Sequence, residues 1–200
     1  MTLQNLSKLA AGLALTAGLA GCVDATVDVD VLSETTARAT MTQVMGSEFY
    51  SMVKQAQEAD QTEQDFCEEG ELTESGDGSA TCVVAHEGTF DELELGEEGD
   101  EDAVRFTSEG PGLVRVAFPT AGMTDEVTDG EELDAQSRAM LEGFFEGHNI
   151  TLNISGNEIV ESNMTVSDDH RSAEIVIPFV ELINGEAELP EELYAIVKVN

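Results

Sequence analysis

Apolar and polar residues alternate strictly in the segment that follows residue 22. Positions 23, 25, 27, 29 and 31 hold Val or Ala, and the positions between them hold Asp or Thr. A period of two over nine residues predicts a strand with one buried side and one side in water. Residues 33–34 make a short turn, and residues 36–45 are expected to form the hairpin partner.

Two other stretches have helical spacing. Ser47 is a typical helix cap, and the residues after it recur at i, i+3, i+4 and i+7, namely Phe49, Met52, Val53 and Ala56. Farther along, Thr128 and Glu131 resemble a capping box. The helix predicted there runs to about residue 146 and ends at Gly147. Its apolar face is formed by Leu133, Met140, Leu141, Phe144 and Phe145.

The remaining apolar runs predict strands over residues 80–85, 103–108, 113–118, 150–154, 158–166, 173–179 and 194–199. Turn sequences at 109–112 and 168–171 connect neighbouring strands. Residues 90–95 are expected to form a short helix or turn, and residues 96–102 an acidic loop. Together these elements predict an α+β domain, in which two main helices pack on one face of a curved antiparallel β-sheet.

The first 22 residues have a different composition. A polar start with Lys8 is followed by an apolar core over residues 9–19, and the stretch closes with Leu19-Ala20-Gly21-Cys22. This order is typical of a secretory signal, and the apolar core is shorter than the roughly 20 residues that span a bilayer. The last four residues resemble the lipobox of bacterial lipoproteins. The alternative is an ordinary signal peptide with an incidental cysteine.

The lipobox resemblance implies a domain organisation and a location. Cleavage between Gly21 and Cys22 would remove residues 1–21 and leave residues 22–200 as one extracytoplasmic domain, held on a membrane by acyl chains on Cys22. Val23, rather than an acidic residue, follows the cysteine. By resemblance to the sorting rule of enteric bacteria, this implies an outer-membrane location facing the periplasm.

Acidic residues dominate the charge. The chain has 42 acidic and 8 basic residues, for a formal net charge of −34. Such a chain repels nucleic acid and anionic lipid headgroups, so neither is expected as a direct partner. The acidity is interpreted either as an adaptation to salt or as a means of binding cations or a basic protein. The scatter of the acids through loops favours adaptation.

With Cys22 lipidated, Cys67 and Cys82 remain, and an exported chain lies where disulfides persist. A bridge between them would close a loop of about 15 residues, which is worth about 3 kcal/mol in the chain-entropy model. A redox or metal-binding pair is the alternative. Because the spacing is not that of a Cys-x-x-Cys motif, a disulfide is the better interpretation.

Candidate chemistry is sparse. Residues 125–136 fail the pattern of a calcium loop, since Val127 and Gln136 stand where oxygen ligands are needed. The acidic run at 97–102 is better explained as a solvated loop. His86, His148 and His170 are far apart in sequence, and there is neither a Gly-x-Ser-x-Gly elbow nor a Gly-rich phosphate loop. The sequence therefore predicts a protein without enzymatic activity, cofactor or metal.

The apolar face of the second helix leaves two interpretations open. Met140, Leu141, Phe144 and Phe145 can pack on the sheet as ordinary core. Alternatively, the helix arches over the sheet and these side chains face an apolar or lipid ligand. The first hypothesis for function is thus an anchored protein that binds such a ligand between helix and sheet. The second is a structural or assembly lipoprotein with a solid core and a protein partner.

The C-terminal strands add a family resemblance. Residues 157–166 read Asn-Glu-Ile-Val-Glu-Ser-Asn-Met-Thr-Val, and an alternating strand follows over 173–179. This resembles the end of LppM-type bacterial lipoproteins, in which a V-x-x-S-N-G-x-V pattern precedes such a strand. The resemblance implies a domain with a helix on a curved sheet and a role in handling envelope lipids. It supplies no catalytic residues.

Overall fold

The computed structural model describes residues 23–58, 66–67, 70–93, 103–123 and 134–199. Within these ranges the chain forms eleven strands and three helices, so the prediction of a mixed α+β fold is confirmed. The strands are β1 Val23–Val31, β2 Thr36–Met45, β3 Glu71–Glu74, β4 Ala80–Thr89, β5 Arg105–Gly110, β6 Leu113–Pro119, β7 Asn149–Ser155, β8 Glu158–Ser162, β9 Thr165–Val166, β10 Ser172–Pro178 and β11 Glu192–Lys198. The helices are α1 Ser47–Glu58, α2 Ala135–Phe145 and α3 Phe179–Asn184.

The strands form two sheets, whereas a single antiparallel sheet was expected. Seven strands follow the order β3-β4-β2-β1-β7-β10-β9, and four follow the order β5-β6-β11-β8. The larger sheet is not purely antiparallel, because β1 pairs in parallel with β7. In that sheet Val27 lies between Met41 of β2 and Leu152 of β7. The curvature of the sheet stays a prediction.

One core joins the two sheets. It contains the alternate residues of β1 together with the inward positions of β6 and β11, so the period-two pattern of the sequence maps directly onto burial. Val29 and Ile154 of the larger sheet are fully buried, as are Val116 and Val197 of the smaller one. The acidic residues of β1 lie on the opposite, outer face.

The strand predicted over 158–166 is in fact two strands in different sheets. At Asn163 the chain leaves β11 of the smaller sheet and then pairs with β10 of the larger one. The Asn163 side chain accepts a hydrogen bond from the Tyr194 amide and donates one to the Glu192 carbonyl, both at 2.8 Å. Ser162 donates to the Tyr194 carbonyl at 2.6 Å. These side chains replace ladder hydrogen bonds at the point where the chain crosses.

The helices pack in two small clusters. In α1 the buried residue is Tyr50, which lies against Met45 and Ala80 and donates a hydrogen bond to Glu74 at 2.8 Å. The prediction that Met52 lies on the apolar face was wrong, since its side chain is 50% exposed. The phenol of Tyr50 can be buried because its hydroxyl keeps a partner. The other cluster joins α2, α3 and β7.

The helix α2 begins at Ala135, and its cap is Asp134, whose carboxylate accepts hydrogen bonds from the amides of Gln136 and Ser137. The backbone hydrogen bond from Ser137 is the largest cause of the lowered pKa of Asp134. The predicted capping residues Thr128 and Glu131 lie outside the described residues. No helix in the described part of the chain has the length and apolarity to cross a bilayer.

Candidate functional site

The predicted anchor would lie next to the first strand. Gly21 and Cys22 are outside the described residues, so their cleavage and lipidation stay predictions, but β1 already begins at Val23. The Asp24 carboxylate accepts a hydrogen bond from the Asn149 amide at 2.9 Å and lies 3.3 Å from Nδ1 of His148. The start of β1 is therefore fixed to the start of β7, and the folded domain begins directly after position 22.

The predicted disulfide is present. Cys67 and Cys82 are bonded, with their Cα atoms 5.5 Å apart. Gly70 lies directly against the bridge. A Cβ atom there would approach the Cys82 and Cys67 sulfurs to 2.8 and 2.9 Å and the Val83 carbonyl oxygen to 2.7 Å. Only a residue without a side chain fits this position, a requirement that the cysteine spacing did not reveal.

The four residues predicted to face a ligand differ in burial and do not form one continuous surface. Phe145 is only 2% exposed and packs against Phe179, with ring centroids 4.7 Å apart. Leu141 is partly buried in the same cluster. Met140 and Phe144 are on the outer side of α2, 58% and 41% exposed. Phe145 and Leu141 thus belong to a packed cluster with α3, and a ligand-facing role for the four residues stays a prediction.

An open pocket of about 400 Å³ lies elsewhere, between the end of β10, the helix α3 and the segment 186–189. Its apolar lining comes from Ile175, Val176, Ile177, Pro178, Ala187 and Leu189, and its acidic lining from Glu181, Glu186 and Glu188. None of the four residues of the predicted ligand face lines it. Its volume is within the range of ligand pockets in proteins.

One wall of this pocket is a strand edge. The strand β10 pairs with β7 along its whole length, whereas β9 lies opposite only Ala173 and Glu174. In the part of the chain that the structure describes, no strand pairs with residues 175–178 on the pocket side. Val176 is 50% exposed there.

Sequence reasoning missed this pocket because it missed α3 and extended β10 through Phe179. A signal was present: Phe179, Leu182 and Ile183 have the spacing i, i+3, i+4, and all three are buried. Gly185 follows the helix with a positive φ of 65° and donates a hydrogen bond to the Leu182 carbonyl. A glycine in this conformation is a frequent helix stop.

The outer face of the smaller sheet holds a charged network that the sequence did not indicate. Arg115 pairs with Glu192 at 2.8 Å and stacks over the Tyr194 ring, whose hydroxyl donates to Glu161 at 2.8 Å. The hydrogen bond from Arg115 is the main cause of the lowered pKa of Glu192. Other basic residues also form ion pairs with glutamates, so their positive charges are neutralised locally.

The three histidines lie in different parts of the structure. His148 meets Asp24, and no hydroxyl lies within hydrogen-bond distance of its ring among the described residues. His86 is on β4, and His170 is in the turn before β10 with a φ of 55°. Within the same ranges no three His, Cys, Asp or Glu side chains are grouped as metal ligands would be. The acidic run 97–102 lies outside the described residues. So do residues 125–133 of the segment that does not fit the calcium-loop pattern.

Comparisons with known proteins bear on the fold. No protein-family model matches the chain, and no curated protein matches it either. Among solved structures, it is similar to the NMR structure of the folded domain of LppM from Mycobacterium tuberculosis, with a TM-score of 0.48 and 9% sequence identity over 90% of this chain and 91% of that one. The resemblance to LppM-type lipoproteins and the lipobox both stay predictions.

Proposed function

We propose that this chain is a lipid-anchored protein of the bacterial envelope that acts by binding a protein partner, without enzymatic activity. The observation that carries this choice is the packing of Phe145. Its ring lies in a cluster with Phe179 and Ile183, all of them nearly inaccessible to solvent. A side chain packed in this way stabilises the fold, which supports a solid core at this helix rather than a ligand cavity.

The anchor is supported by the sequence and by the position of β1. The Leu-Ala-Gly-Cys motif follows a short apolar core, and the ordered strand begins immediately after Cys22. With so short a connection, the domain would stay close to the bilayer and would meet partners at the same surface. An outer-membrane location facing the periplasm follows from Val23 under the enteric sorting rule.

The charge of the domain limits the partner. The whole chain has a net charge of −34, which disfavours anionic lipid headgroups and acidic proteins and favours a neutral or basic surface. The acidic surface has this preference whether the acidity arose from adaptation to salt or from selection for binding.

Membrane fractionation tests the anchor. The Cys22→Ser variant, expressed in a bacterial host, is expected to lose its membrane association, because a serine cannot receive the thioether-linked lipid. Its far-UV circular dichroism should match that of the wild-type protein extracted from the membrane in detergent. If the variant stays in the membrane fraction as completely as the wild type, the lipid on Cys22 is not what holds the protein there.

An apolar ligand is the second candidate, and the pocket beside Ile175 and Ile177 favours it. Native mass spectrometry of the domain from residue 23 to residue 200 separates the two candidates. The proposed function predicts the mass of the bare chain. A stoichiometric lipid adduct that survives in repeated preparations would instead favour the ligand-binding function.

A further inference from the structure

From the open edge of β10 we infer that the pocket between β10 and residues 186–189 binds an extended, basic segment of a partner protein, which adds to the larger sheet as a strand beyond β10. This rests on the proposed function, and it names the site and the chemistry of the partner. The first support is geometric: β9 covers only Ala173 and Glu174, and residues 175–178 form the wall of an open pocket of about 400 Å³.

A strand edge requires a particular kind of occupant. The outward backbone groups of residues 175–177 are hydrogen-bond donors and acceptors that an added strand satisfies through its own peptide groups. An acyl chain has no such groups, and a phosphate headgroup would meet three glutamates. Pro178 has no N–H group and marks the end of the usable edge. The chemistry of the site therefore matches a peptide better than a lipid.

The side chains that line the pocket indicate which residues the bound partner segment should have. Because side chains alternate along a strand, one side of the added segment would meet Ile175, Ile177 and Leu189. The other side would meet the exposed Val176. Glu181, Glu186 and Glu188 line the pocket and are exposed. An occupant with alternating apolar and basic residues would complement both features.

A second copy of this chain is a poor occupant. Two chains with a net charge of −34 repel each other, and an acidic strand would be placed against the glutamates of the pocket. The same charge attracts a basic segment and steers its approach. The structure thus points to a different protein with a cationic strand.

The binding test uses the full chain, lipidated and reconstituted in zwitterionic nanodiscs, and the unlipidated Cys22→Ser chain in parallel. The probe is a capped hexapeptide of alternating Lys and Val. Both proteins are expected to bind it with the same affinity. Hydrogen exchange is expected to slow at those amides of residues 175–177 that do not already bond to β7. Since the pocket is independent of the anchor, binding by the Cys22→Ser chain tests this inference even if lipidation fails.

Two controls isolate the mechanism. A peptide with N-methyl groups on alternate residues keeps its charge but loses the N–H groups that face the edge, and we expect at least about tenfold weaker binding. The Glu181→Gln, Glu186→Gln, Glu188→Gln triple variant is expected to bind about tenfold more weakly as well. The matched variant with Glu48→Gln, Glu71→Gln and Glu109→Gln changes the net charge equally at remote sites. It should bind within about twofold of the wild type.

The inference is overturned if the N-methylated peptide binds as well as the parent, or if the two triple variants weaken binding equally, since either result would mean nonspecific attraction to an acidic surface. Slowed exchange at 175–177 on adding zwitterionic vesicles to the Cys22→Ser chain would assign the edge to lipid and overturn it too. Concentration-dependent protection of that edge without peptide would assign it to a second copy, with the same consequence.

Discussion

Truncating two adjacent phenylalanines distinguishes core from exposed surface in α2. Phe145 is 2% exposed and in contact with the Phe179 ring, whereas Phe144 is 41% exposed. A buried Phe→Ala substitution costs about 3–5 kcal/mol, and the lost aromatic contact, worth about 1 kcal/mol, places Phe145→Ala in the upper part of that range. Somewhat more than half of the Phe144 surface is covered, so Phe144→Ala should cost about 1–2 kcal/mol.

Urea denaturation followed by far-UV circular dichroism measures both costs, and it suits a chain that contains no tryptophan. A domain of this size has a total stability of about 5–15 kcal/mol, so Phe145→Ala can leave too little folded protein to measure. Phe145→Leu keeps most of the side-chain volume and should lower the free energy of unfolding by about 1–2 kcal/mol. The m-value of the transition should stay the same as in the wild type.

The reasoning is refuted if Phe145→Ala or Phe145→Leu leaves the unfolding midpoint unchanged, or if Phe144→Ala costs more than Phe145→Ala. Either result would mean that Phe145 does not pack against α3 as described. The hypothesis of a ligand between helix and sheet would then return.

Three further predictions concern single positions. Gly70→Ala should lower the free energy of unfolding by about 1–3 kcal/mol, since its methyl group would overlap the disulfide, and a midpoint equal to wild type in urea would contradict this. Asn163→Ala should cost about 1–3 kcal/mol, because two hydrogen bonds to β11 are lost; a free energy of unfolding that equals the wild-type value would argue against these bonds. Because Arg115 lowers the pKa of Glu192, the carboxylate stabilises the fold above the pKa of an unfolded glutamate and loses this effect as pH falls through its folded pKa. The difference in Tm between wild type and Glu192→Gln should therefore be constant near neutral pH and shrink as the pH falls below about 4.3, the pKa of an unfolded glutamate; a difference that stays constant through this range would contradict the assignment.

Local patterns in the sequence were sufficient to predict several elements. The bounds of β1 and β2 were predicted correctly because their alternation has a direct structural cause, one face in the core and one in water. The disulfide followed from having two remaining cysteines in an exported chain. In both cases the physical constraint acts within a short stretch or on very few residues.

Other features depend on pairings between distant segments. No local pattern shows that β1 pairs in parallel with β7, or that the strands divide into two sheets. The apolar run at 158–166 continues through Asn163 without a turn signal, because side-chain hydrogen bonds to β11 replace the usual break. For the same reason the sequence did not predict the pocket, whose walls come from β10, α3 and residues 186–189.

The intact mass of the protein purified from native membranes tests the central claim most directly. A lipid-anchored protein should have the mass of a chain that begins at Cys22, increased by a diacylglyceryl group and by acylation of the new N-terminus, and reduced by two hydrogens for the Cys67–Cys82 bond. A mass that matches a chain starting at Met1, with an unmodified thiol at position 22, would contradict the account.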